Sequence, residues 1–125
     1  MFDPNGVGLK NGKIFSLPYE EDKSKIILIP APWDVTVSYR SGTYLGPEQI
    51  IKASSQIDLY NHFHPNFYTK GIYCLPVSEE WKTKSIELRK KSEDYIDALE
   101  NGQDTSSFNK DLQLINEACE SFNDF

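Results

Sequence analysis

The polar residues best placed for chemistry fall in one stretch, Ala31 to Leu45. There Asp34, Ser38 and Arg40 stand among Trp33, Tyr39 and Tyr44, and Glu48 follows just beyond. An arginine such as Arg40 can hold a carboxylate or phosphate through two parallel N–H donors. Asp34 can accept hydrogen bonds from a cationic substrate. A helix opening at Gly46-Pro47 favours an anion, although the proline removes one donor. Each of these residues has a structural alternative, because short polar side chains also pin loops by bonding to backbone. His62 and His64, on either side of Phe63, would share a face if the segment were a strand, as in some metal sites. No third ligand lies nearby in sequence and Pro65-Asn66 marks a turn, which favours exposed or hydrogen-bonded imidazoles. Cys74 and Cys119 sit far apart within apolar patterns and read as buried free thiols rather than a disulfide or metal pair. The chain has no phosphate-binding glycine fingerprint, no CxxC pair, no nucleophile elbow and no HExxH. The residues alone therefore assign no catalytic group and no metal ligand.

The elements that must position this stretch can be read around it. Ile26-Ile27-Leu28-Ile29 is an unbroken branched apolar run, which suits a strand buried on both faces of a parallel sheet. Pro30 and Pro32 end it by withholding amide donors. After the long loop, Gly46-Pro47 opens a helix on which Ile50, Ile51, Ala53, Ser54 and Ile57 form an apolar face. Gly71 to Val77, bounded by glycine and proline, is the second strand. A longer helix carries Trp81, Ser85, Leu88, Ser92, Tyr95 and Leu99 on one face, with Lys82, Lys84, Arg89, Lys90 and Lys91 on a solvated far side among Glu87, Glu93, Asp94 and Asp97. Asn101-Gly102 stops it. Asp104 to Ser107 offers caps for a last helix with Phe108, Leu112, Ile115, Cys119 and Phe122 in register. Residues 1–25 read as an irregular, turn-rich lead-in, with Lys13 to Ser16 as a short edge segment. Residues 26–77 read as strand-loop-helix-strand, and 78–125 as two helices.

Composition sets the class. A length of 125 residues, 38% hydrophobic and 13% aromatic, supports a core. A net charge of −6 argues against sequence-independent nucleic-acid binding. No apolar run reaches membrane-spanning length and the first ten residues hold no apolar signal core, so a cytoplasmic protein is expected. The last helix ends on Phe122-Asn123-Asp124-Phe125 with neither a glycine stop nor a basic residue for its carboxyl-end dipole. Two strands are also too few to occupy three helical stripes, so the chain reads as the front portion of a larger α/β fold.

One resemblance is visible in these residues. Pro32-Trp33-Asp34, Thr36-Val37-Ser38-Tyr39-Arg40, Gly42-Thr43, Gly46-Pro47 and Ile50 resemble the start of the ureohydrolases, the arginase/agmatinase family. There the first strand is followed by G-V-P-(F/W)-D-x-x-x-S-x-R-x-G-x-x-x-G-P-x-x-I. The Ser-Tyr-Arg-x-Gly-Thr run is most similar to the agmatinase-like branch. The likeness covers residues 26 to 60, and Pro30 departs from the family's usual glycine. It implies a three-layer αβα arginase-like sandwich with a parallel sheet, incomplete in this chain. It implies a hydrolase that releases urea from a linear guanidino substrate using two manganese ions. Relatives assemble as trimers or hexamers.

The family's metal ligands lie in G-G-D-H, D-A-H-x-D and D-x-D motifs, none of which occurs here. The resemblance thus implies for Asp34, Ser38 and Arg40 at most a place at the rim of an active site or a subunit contact. The segment by itself is expected to be inactive, completed by the remainder of the domain. Three alternatives stand beside this reading: a non-catalytic interaction protein, a degenerate relative without its metal centre, and a formiminoglutamase.

Overall fold

A computed structural model describes residues 2–124. The chain divides into two compact units, one of residues up to 31 with 45–77, the other of 32–44 with 78 onward.

In the first unit, strands β1 (Ile26–Leu28) and β2 (Ile72–Cys74) pair in parallel, with Ile26 opposite Ile72, Ile27 opposite Tyr73 and Leu28 opposite Cys74. A parallel pair needs a crossover connection, and helix α1 (Gly46–Ala53) lies within it, with Pro47 in its first turn. The architecture is α/β with a small parallel sheet. The expectation that the first strand is buried on both faces is corrected. Ile26 and Leu28 pack on the core, whereas Ile27 is 39% exposed and Ile29 is 61% exposed and outside the strand. With only two strands, side chains that alternate across the pleat leave one face uncovered. The apolar face of α1 is likewise narrower than its spacing predicts. Ile51 and Ser54 turn inward, but Ile50 is exposed within the helix and Ile57 is exposed beyond it, after the α-helix has ended at Ala53 and a tighter 3-10 turn has followed.

The lead-in is more ordered than its composition suggests. In place of an edge segment, Ile14–Ser16 forms a 3-10 turn with Phe15 and Ser16 at positive φ. This turn drives Ile14 and Leu17 into the same core as Ile72. Ser54 fastens it, accepting from the Phe15 amide at 2.7 Å and donating to the Ile51 carbonyl at 2.6 Å. Burying each such aliphatic side chain stabilises the fold by about 1.5–3 kcal/mol.

The second unit is built on helices α2 (Glu79–Glu100) and α3 (Asn109–Asn123). Ser78 caps α2 by accepting from the Trp81 amide, and Asn101 closes its other end on the Asp97 carbonyl. Asp104 then accepts from Ser106 and starts the turn Ser106–Phe108 that leads into α3. Trp81 meets Phe122 and Tyr95 meets Phe108, so the two helices run antiparallel. Their core is Val35, Leu88, Ile115 and Ala118, with Trp33 and Cys119 against it. Two positions on α2 differ from the sequence pattern. Ala98 rather than Leu99 turns inward, a shift of one residue and so of about 100° on a helix. Arg89, assigned by its charge to the solvated side, is 6% exposed. Among the described residues no helix is long and apolar enough to cross a membrane.

Candidate functional site

The loop Pro32–Tyr44 belongs to the second unit and is held at three places. Asp34 is 3% exposed. Its amide donates to Ser85 Oγ at 3.0 Å, and the Ser85 hydroxyl donates to Asp34 Oδ1 at 3.2 Å. Oδ2 accepts from the Gly42 amide at 2.7 Å and from the Ser41 hydroxyl at 3.4 Å. A single carboxylate thus ties the start of the loop to its end and both to α2.

Arg89 supplies the third hold. Its Nη1 donates to the carbonyls of Val35, at 3.4 Å, and of Val37, and its Nε donates to Glu93 Oε1 at 2.9 Å. A guanidinium this deep is tolerable because its donors meet acceptors, one of them ionised. Val35, beneath these bonds, is fully buried.

The clamp leaves the tip Ser38-Tyr39-Arg40 in solvent. Tyr39 is 82% exposed, and the Arg40 guanidinium carbon lies 5.4 Å from its ring centroid. A cation over an aromatic face offers two kinds of recognition: bidentate bonding to a carboxylate or phosphate, and stacking on a planar group.

Of the residues singled out from sequence, Ser38 and Arg40 are therefore exposed at the tip. Asp34 lies beneath, both its oxygens occupied by the chain's own donors. Glu48 sits in the first turn of α1, in the other unit. His62 and His64 are both exposed, and the His62 ring meets Phe63 edge-on at 5.3 Å. Cys74 and Cys119 are free thiols, half-buried, and burial pushes the Cys74 thiol above its ordinary range. Among the described residues no group of three or more His, Cys, Asp or Glu is placed to hold a metal.

Ser85 and Arg89 were not candidates from sequence. The signal lay in their spacing: they stand four apart, so Arg89 shares the inward face already read for Ser85.

Comparison with known proteins decides the family. The profile described as Arginase family matches residues 24–104, which span both strands, the clamped loop and all of α2. The chain belongs to the arginase family. This arginase-family chain is also similar to an N(1)-aminopropylagmatine ureohydrolase of Synechocystis sp., at 33% identity over 64 residues. That match covers 49% of the chain and 21% of the relative, so the chain spans about a fifth of the relative it matches. No solved structure matches.

Proposed function

We propose that this chain is the N-terminal portion of a manganese-dependent ureohydrolase that cleaves a linear guanidino substrate with release of urea, as agmatinases do. The observation that carries the reading is the family match over residues 24–104, which takes in the loop that Asp34 and Arg89 hold. The similarity to a ureohydrolase of an agmatine derivative supports a guanidino substrate. Open α/β sheets bind ligands beyond the carboxyl ends of their strands, and this loop leaves the carboxyl end of β1.

In this reading the sheet of two strands is part of a three-layer αβα sandwich. The chain's own contribution is to hold and orient substrate at the rim through the exposed tip. A manganese pair would supply the hydrolytic chemistry of such an enzyme. The described residues do not fit that pair, having no cluster of ligands, so its ligands belong to the remainder of the domain. Residues 1–125 alone are inactive, and the complete protein is a cytoplasmic trimer or hexamer.

Urea release with manganese tests the proposal on the intact protein, using agmatine, arginine, 4-guanidinobutyrate and, for amide release, formiminoglutamate. Hydrolysis of a guanidino substrate is expected. Turnover of formiminoglutamate alone would change the substrate class, turnover of none would remove the enzymatic reading, and turnover by residues 1–125 alone would overturn the division of labour.

A further inference from the structure

Arg89 is an expensive residue to place where it is. A buried guanidinium is often replaceable by apolar side chains without loss of stability, and its ionised partner among the described residues, Glu93, is itself half in water. Among the described residues its other bonds go to the backbone of the loop, at Val35 and Val37. Those two carbonyls immediately precede the exposed tip Ser38-Tyr39-Arg40. The carboxylate of Asp34 fixes the ends of the same loop at positions 34 and 42. With the ends tied, the remaining freedom lies in the residues between them, and the guanidinium removes it on the side leading into Tyr39 and Arg40. Lysine cannot reproduce this, because a single ammonium lacks the planar fork that reaches Val35, Val37 and Glu93 together.

We propose that Arg89 is a positioning residue for substrate recognition: it holds the Val35 and Val37 carbonyls so that Arg40, over the Tyr39 ring, meets a substrate carboxylate already ordered. The proposal rests on the reading of the intact protein as a ureohydrolase. A pre-ordered tip spares the ordering cost at binding. Loosening it therefore raises KM and leaves kcat in place.

The test uses the intact protein with manganese and whichever of arginine, 4-guanidinobutyrate or formiminoglutamate, each of which carries a carboxylate, the wild type hydrolyses. Arg89→Lys, Arg40→Ala and the double variant are compared for KM, kcat, thermal midpoint and amide hydrogen exchange over residues 36–42. Arg89→Lys is expected to raise exchange in that segment and KM about 10-fold, with kcat within about twofold. Arg40→Ala is expected to raise KM without changing exchange. The double variant is expected to show a KM no higher than Arg40→Ala alone, because two changes acting through one contact are not additive. Additive effects on KM, or wild-type exchange and KM in Arg89→Lys, would overturn the positioning role while leaving the ureohydrolase reading intact. A wild-type protein that hydrolyses agmatine alone overturns the positioning role, and one that hydrolyses neither agmatine nor any of these three overturns both. If Arg89→Lys does not fold, Glu93→Gln, which removes the charge that orients the guanidinium, is measured in its place with the same expectations at smaller size.

Discussion

At position 71 the backbone takes φ +74°, and a Cβ there would stand 2.6 Å from the Lys23 carbonyl oxygen and 2.9 Å from the Ser24 Cα. Both obstacles are backbone, held where the Lys25 and Ile26 amides bond to the Gly71 carbonyl. Gly71→Ala is therefore expected to destabilise the protein by about 2–4 kcal/mol, read from the midpoint of urea unfolding. Gly42 also needs a positive φ, +131°, but no atom lies within 4 Å of its would-be Cβ. Gly42→Ala is expected to cost less, about 1–3 kcal/mol, and to raise hydrogen exchange only in the loop that its amide closes on Asp34. Equal costs at the two sites would contradict the steric difference. Cys74 gives a pH-dependent expectation. Burial raises its thiol pKa, so the folded state holds the proton longer than the unfolded state. Its stabilising share is full below the ordinary thiol range and is lost as pH rises through the folded value. Alkylation of Cys74 by iodoacetamide should accordingly lag behind that of the same residue in denaturant between about pH 8 and 9.

Between elements, the second unit depends on what α2 and α3 enclose. Ile115 is 4% exposed in the core with Val35, Leu88 and Ala118. Ile115→Ala is expected to cost about 2–5 kcal/mol and, by loosening the packing around Val35, to raise exchange across residues 34–42 as well as in α3. Trp33 stacks on Phe122 with ring centroids 4.7 Å apart, and Trp81 meets both edge-on. These rings join the first residues of the loop to both helices. Ser85→Ala, by contrast, removes no apolar surface. It leaves Asp34 Oδ1 without its donor and the Asp34 amide without its acceptor, an expected loss of about 1–3 kcal/mol. A Ser85→Ala protein as stable as wild type would mean that these bonds add nothing beyond what water provides.

For the molecule as a whole, the arginase family matches residues 24–104, and among the described residues no group of three or more His, Cys, Asp or Glu is placed to hold a metal. Manganese added to purified residues 1–125 should leave the unfolding midpoint unchanged, since only a ligand bound by the native state raises it. A rise that grows with metal concentration would place ligands within this chain. Much of this was legible in the amino-acid order. The run at Ile26, Gly46-Pro47 and Asn101-Gly102 are local signals, and their neighbours in sequence suffice to make or end an element. The Pro32 to Ile50 motif carried the family for the same reason. What sequence could not supply was which partner each side chain meets across the fold. Ile14 and Leu17 looked like part of a turn-rich lead-in until Ile72 covered them. Ile27 looked buried until the sheet had only two strands. Arg89 looked like a surface cation, because charge is a property of the residue, whereas the carbonyls of Val35 and Val37 reach it only after more than fifty residues of chain have folded back. Periodicity reports the face a residue takes on its own helix or strand; burial and bonding depend on the opposing surface, which tertiary structure alone provides.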